Sequence, residues 1–264
     1  MSFASGSNGN CYYLATEDSA ILIDAGVGFR VIKKELDKVG QSLDKARAVF
    51  VTHDHADHIN SLLGLTIRCY LPVYATAEVH RGISKSYCLK KELDRSYVKY
   101  VTKEETVERG EFRVTPFEVP HDSTDSVGYC IEVQGLTFVF LTDLGHITET
   151  AARYISRANI LIMEANHDET MLKNGHYSPH LKQRIASPTG HLSNRTTAEY
   201  LANHFPAGLR HIFLCHLSKD NNHPELAIKT VELALKEHGI TVGKDVELTA
   251  LRRTQPSELY QYVK

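Results

Sequence analysis

Several features are scarce or missing in this chain of 264 residues. No apolar run approaches the roughly 20 residues that a bilayer-crossing helix needs, so a membrane span is not expected. The first residues, Met1-Ser2-Phe3-Ala4-Ser5-Gly6, contain neither a basic stretch nor an apolar one. That argues against a targeting segment and for a cytoplasmic protein. Cysteine is sparse and odd in number, with five scattered as Cys11, Cys69, Cys88, Cys130 and Cys215 and none in a CxxC pair. Buried thiols in a reducing compartment are the simplest reading of that pattern. Net charge is nearly absent, at a formal −2. Such a surface has no general attraction for polyanions, so a nucleic-acid substrate would need local positive charge from metals and a few placed Arg and Lys. Internal repeats, low-complexity tracts and domain linkers are also lacking. With 42% hydrophobic and 23% charged residues, the chain is expected to form one globular domain over residues 1–264.

What is present centres on residues 46–63. The run Ala46-Arg-Ala-Val-Phe-Val-Thr52 predicts a buried strand, and the apolar spacing after His58 predicts a helix start. Between them stand His53, His55, Asp57 and His58, four potential metal ligands in six positions. Side chains two apart in extended chain leave the same face, so His53 and His55 can meet one ion. As the chain turns into the helix, Asp57 and His58 can swing to a second ion beside the first. Imidazoles and a carboxylate suit zinc or a similar first-row divalent metal.

The remaining pattern is that of a layered α/β protein. Residues 5–10 are a turn-forming cluster before a short strand at 11–14, either a plain hairpin or exposed backbone and serines that touch a substrate phosphate. Strands are expected at 20–24 and 72–75, in successive short pieces from Tyr97 to Leu141 that include 127–133 and 136–141 with Gln134-Gly135 as a turn, and at 160–163, 212–215 and 246–251. Helices are expected at 29–39, from 76 into the eighties, and at 179–186, 194–204 and 224–238. The stretch from Ser84 to Arg95 is charged and weakly patterned, either a solvated face or mobile cover, or a basic patch facing substrate.

Three further ligand candidates follow apolar strands directly: His121, Asp143 and His216. Strand ends are rigid places from which to present ligands. Glu164 also ends a buried strand, and it reads either as a hydrogen-bond partner for a ligand His or as an ordinary structural residue. Cys215 should point away from the metals into packing. His191 lies in Ser187-Pro-Thr-Gly-His-Leu-Ser-Asn194, where Ser193 or Asn194 is a natural helix N-cap. A second imidazole near metals but not bound to them has a chemical use, the protonation of a departing alkoxide. Spacing lifts no other histidine above background.

Taken together, Phe3-Ala-Ser-Gly-Ser-Asn-Gly-Asn10, His53 to His58, Pro120-His-Asp122, Leu161-Ile-Met-Glu-Ala-Asn-His-Asp168 and Gly190-His-Leu-Ser-Asn194 resemble the YycJ (WalJ) group of the metallo-β-lactamase superfamily. That group is related to the RNase J and RNase Z phosphodiesterases. The resemblance covers nearly the whole chain and implies an αββα sandwich, here without room for a β-CASP insertion between Asp143 and His216. It implies that His53, His55 and His121 hold one divalent ion, zinc or manganese, that Asp57, His58 and His216 hold another, and that Asp143 bridges them. It implies a bacterial cytoplasmic exonuclease acting on DNA from a 5′ end, with attack by a metal-bridging hydroxide and with His191 assisting the leaving oxygen. The group's Asn-Tyr-Asp appears here as Asn166-His167-Asp168. Ser5, Ser193, Asn194 and Arg252 are the expected substrate contacts, with the segment near 84–103 and Arg253 as further grips. Two other functions remain open at this point: a thioester or lactam hydrolase, and a metal-binding regulatory protein without significant turnover.

Overall fold

The computed structural model describes residues 1–262. Contacts divide the chain into two compact units. One holds residues 1–116, 123–127 and 253–262 of the described chain, and the other holds residues 117–122 and 128–252.

The first unit opens with a hairpin of β1 (Ser2–Gly6) and β2 (Gly9–Ala15), turned at the exposed Ser7 and Asn8. It continues through β3 (Ala20–Ile23), α1 (Phe29–Lys38), β4 (Ala46–Phe50), α2 (Ala56–Ile59), α3 (Leu62–Cys69), β5 (Val73–Ala75), α4 (Ala77–Lys85) and β6 (Val98–Tyr100). The six strands form a sheet in chain order, parallel from β3 to β6. Ile32 and Leu36 of α1, Leu62 and Leu65 of α3, and Val79 and Ile83 of α4 join Leu22, Val49 and Val73 in one buried cluster. Pairs three or four apart on a helix share a face, so each short helix needs only one apolar stripe to seat itself. Ile21, Ile23 and Phe50 alternate with that cluster and are buried too, so both faces of these strands are covered.

From β7 (Val107–Arg109) the chain enters β8 (Phe112–Glu118), whose last residues, Phe117 and Glu118, belong to the second unit. There β9 (Val127–Val133) and β10 (Leu136–Leu141) pair as an antiparallel hairpin. Gln134 and Gly135 both take positive φ, at 48° and 76°, as a two-residue hairpin turn requires. Next come α5 (Glu149–Ile155), β11 (Ile160–Glu164), α6 (Glu169–Asn174), α7 (Pro179–Ile185), α8 (Asn194–Asn203), β12 (His211–Cys215), α9 (Pro224–Glu237) and β13 (Glu247–Ala250). Strands β10, β11, β12 and β13 are parallel neighbours in that order. Ile155 of α5, Leu201 of α8 and Val231 of α9 pack with Val139, Leu161 and Ile212 of the strands.

Three elements escape a reading of sequence periodicity: β1, α5 and α6. They have five, seven and six residues, too few to display a period of 3.6 or a clear alternation. No disulfide links the five cysteines. Among the described residues no helix is long and apolar enough to cross a membrane.

Candidate metal centre

In the first unit, β4 ends at Phe50 and the chain runs through Val51 and Thr52 into the ligand loop before α2. The ring centroids of His53 and His55 lie 4.6 Å apart, and those of His53 and His58 lie 4.1 Å apart. Alternation brings the first pair together, and the first turn of α2 swings His58 back towards His53. His58 Nε2 is 3.5 Å from Asp57 Oδ2. All four predicted ligands of this loop therefore meet.

A buried carboxylate organises them. Asp24 follows β3, fully buried, with φ of 60°, a left-handed conformation that costs a non-glycine residue energy. Its backbone N–H donates to Phe50 O at 2.8 Å, and its carboxylate accepts from Thr52 N at 2.8 Å and from His58 Nδ1 at 2.7 Å. The Thr52 hydroxyl donates to the same carboxylate and lies 3.0 Å from His53 Nδ1. Burial raises the Asp24 pKa, against the opposing pull of His58 and Thr52. Asn10 completes the arrangement, its Nδ2 donating to Asp57 Oδ2 at 3.1 Å and to His58 Nε2 at 2.9 Å. With Nδ1–H committed to Asp24, His58 carries its lone pair on Nε2, the tautomer that a metal ligand needs. Gly26 makes room for the loop: a Cβ there would sit 1.5 Å from Asp57 O.

In the second unit, strand register gathers the predicted residues. Leu141 pairs with Met163, and Glu164 pairs with Cys215. The residues just beyond these parallel strand ends thus emerge at one edge. Asp143, Glu164, His191 and His216 bring ligand atoms within 4.8 Å of one another. His216 Nδ1 is 3.0 Å from both Asp143 Oδ1 and Glu164 Oε1, and His216, like Asp24, takes a left-handed φ, here 53°. His121 Nδ1 donates to Gly190 O at 3.1 Å, and its Nε2 is 3.9 Å from Asp143 Oδ1. His121 and His216 therefore also present Nε2 as the lone-pair nitrogen.

Glu164 is fully buried and serves several partners. Oε1 accepts from His191 Nδ1 at 2.7 Å, while Oε2 accepts from Leu144 N at 2.9 Å and Leu192 N at 3.2 Å. Burial alone would raise its pKa, but the charge of His191 and the hydrogen bonds from His191 and His216 hold it below the usual carboxylate range. Burial would lower the His191 pKa, and the Glu164 and Asp143 carboxylates reverse that and raise it. The His191 side chain keeps 18% of its surface exposed. Cys215 is buried, with Sγ against Leu141 O at 3.7 Å.

Three of the expected substrate contacts are placed otherwise. Ser5 lies inside β1, fully buried, with Oγ 2.9 Å from the Tyr12 hydroxyl. Every residue of β1 is buried, so neither face of the strand offers Ser5 to solvent, and the exposed tip of the hairpin falls on Ser7 and Asn8. Ser193 is the N-cap of α8, accepting from Thr196 N at 3.1 Å and donating to Glu169 Oε1 at 3.0 Å. Asn194 is buried, and its Nδ2 donates to Asn222 Oδ1 at 2.9 Å. Arg252 is exposed beyond β13.

These donor sets, histidine nitrogens and carboxylates with fixed tautomers, suit a divalent metal. Replacing the Asp24 carboxylate tests the first set. Asp24→Ala removes the acceptor that holds His58 Nδ1–H, and such partners contribute about 10- to 100-fold in metal affinity. A competition titration with a chelating dye should show a loss of that size, and unchanged affinity would mean that Asp24 only fills space.

A sequence profile of the beta-lactamase superfamily domain matches residues 19–216. Exodeoxyribonuclease YycJ of Bacillus anthracis is 32% identical over 260 residues, covering 98% of this chain and 97% of the relative. Exodeoxyribonuclease WalJ of Streptococcus pneumoniae is 34% identical over 245 residues, covering 93% of this chain and 91% of the relative. Among solved structures, the metallo-beta-lactamase fold protein YhfI from Bacillus subtilis is similar with a TM-score of 0.67 at 18% identity, covering 95% of this chain and 94% of that one. That likeness speaks to the fold, a two-sheet α/β fold, over nearly the whole length. The chain belongs to the metallo-β-lactamase superfamily and, within it, to the group of the YycJ and WalJ exodeoxyribonucleases.

Proposed function

We propose that this protein hydrolyses phosphodiester bonds, as a metal-dependent exonuclease that digests DNA from a 5′ end in the cytoplasm, with residues 1–264 working as one hydrolase domain. The observation that carries this reading is His191, held through Nδ1 by Glu164 at 2.7 Å beside Asp143 and His216. A thioester releases a thiolate that needs no proton, whereas a phosphodiester releases an alkoxide that a placed imidazole can protonate. The family's ligand order assigns His53, His55 and His121 to one ion, Asp57, His58 and His216 to a second, and Asp143 to both. Two divalent cations, zinc or manganese, supply an activated water and charge neutralisation at phosphorus when bound. The chain's own part is positional. Asp24, Gly190 O and Glu164 hold the ligand imidazoles in one tautomer. Glu164 also fixes the His191 ring, and His191 delivers a proton to the departing oxygen.

The test offers metal-reconstituted protein 5′-labelled single- and double-stranded DNA, RNA and a chromogenic lactam in parallel. Release of nucleotides from the 5′ end of DNA is the expected result. Turnover of the lactam with intact DNA would overturn it.

A further inference from the structure

The chain as a whole carries a formal charge of −2, but its positive charge is not evenly spread. Residues 81–100 contain Arg81, Lys85, Lys90, Lys91, Arg95 and Lys99 against Glu92 and Asp94 only. All six cations are exposed. Their local pairing is weak: Arg81 reaches Glu78 only at 4.0 Å. Within the same twenty residues stand two large aromatic rings that folding has left in water. Tyr87 is 91% exposed and Tyr100 is 66% exposed. Tyr12, Tyr13 and Tyr74 of the first unit are buried, whereas Tyr70 is 73% exposed but lies outside this run of cations.

This segment is anchored at the ligand loop. Gly82 of α4 lies against Asp54, the residue between His53 and His55, so closely that a Cβ at Gly82 would sit 1.8 Å from Asp54 Oδ2. Asp54 is held from its other side by Thr124, through N at 3.2 Å and Oγ1 at 2.5 Å. From that contact α4 carries Lys85 outward, and Tyr87 stands just past the helix end. Strand β6 is tied to the same helix: His80 Nε2 is 3.0 Å from Lys99 O, and the Tyr100 ring meets His80 edge-on at 5.4 Å. Tyr100 is therefore held near the middle of α4, and Lys85 lies about 7.5 Å of helix axis beyond His80, roughly the span of one nucleotide. Leu89 and Leu93 fasten the intervening loop to the core, so the lysines beside them ride on an anchored segment.

We infer that residues 81–100 form a track for the single-stranded end of a DNA substrate, with bases stacked on Tyr87 and Tyr100 and phosphates met by the surrounding Lys and Arg. Surfaces that hold single strands combine a positive path for the backbone with aromatic faces for the bases. Both are here, starting at the ligand loop. The inference rests on the phosphodiesterase reading above and names where that reading's substrate is gripped.

The test uses metal-loaded full-length protein, a fluorescent single-stranded DNA oligonucleotide with phosphorothioate linkages, and its duplex. Tyr87→Ala and Tyr100→Ala should each weaken single-strand binding by about 5- to 150-fold, the effect of losing one stacked base. Tyr87→Phe, which keeps the ring, should restore the affinity. Lys90→Ala/Lys91→Ala should lower the slope of log affinity against log salt by about 1.4, at about 0.7 for each phosphate contact. With ordinary DNA the same variants should raise KM while kcat holds. A nitrophenyl phosphodiester, too short to reach the segment, reports on the metal site alone. If wild-type protein binds the single strand but cleaves neither DNA nor the ester, the phosphodiesterase reading fails while the track stands. Affinity and salt slope unchanged in all the variants would overturn the track, leaving a solvated face. So would equal binding of the duplex, or loss of ester turnover in step with DNA turnover.

Discussion

Asp143→Ala should bring the metal content of the protein from two divalent ions per chain to below one. The reason is charge. Among the seven proposed ligands, five are neutral imidazoles, and Asp57 and Asp143 alone bring negative charge to offset two divalent cations. Removing Asp143 halves that compensation. It also removes a carboxylate that lies, buried, 3.0 Å from His216 Nδ1, so the ring loses one of its two acceptors. Elemental analysis of anaerobically purified protein measures the stoichiometry. Thermal unfolding supplies an independent reading, because a ligand at 100 times its dissociation constant stabilises the native state by about 2.7 kcal/mol. That metal-dependent rise in Tm should largely vanish in Asp143→Ala. A parent stoichiometry below one, unaffected by the substitution, would sink the two-ion assignment.

His191→Ala should retain the metals and the fold yet lose DNA turnover by roughly 100- to 10,000-fold, the usual contribution of a placed general acid. The geometry allows two roles for this imidazole. It hydrogen-bonds to Glu164 at 2.7 Å and is partly exposed, as a proton donor should be. It also stands in a group with Asp143, Glu164 and His216 whose atoms are close enough to share an ion. A pair of substrates separates the roles. A nitrophenyl phosphodiester has a leaving group that needs little protonation, so His191→Ala should slow it far less than DNA. Damage to the metals would slow both alike. If elemental analysis finds an ion missing in the variant, His191 is a ligand. If DNA cleavage is untouched, His191 merely flanks the cap of α8, and the reading given to it here is wrong.

Much of the centre was legible in the chain because ligand chemistry is local where a loop supplies it. His53, His55, Asp57 and His58 lie within six positions, and the alternation of an extended chain already places the first two on one face. His121, Asp143 and His216 were visible for a related reason, since each stands just beyond an apolar strand. The helices and strands with ten-residue stripes or clean alternation were visible too. Substrate contacts were a different matter. Ser5 and Asn194 have residue types that suit phosphate contact, but burial decides whether such a side chain is available. For Ser5 that depends on a strand covered on both faces, and for Asn194 on a partner 28 residues away.

The sequence by itself determined the ligand motif, the strand-end candidates and the family, because these are properties of neighbouring residues or of matching strings. Only the tertiary structure decided what orients them. Asp24 reads in the chain as the end of one more buried strand, yet it meets His58 across 34 positions. The β3–β4 pairing of Ile23 with Phe50 brings it there. Glu164 could be named as a partner for some ligand histidine, but its service to both His191 and His216 follows from the parallel register of β11 and β12. Hydrogen bonds are short-ranged, and strand register sets which distant residues come within their reach.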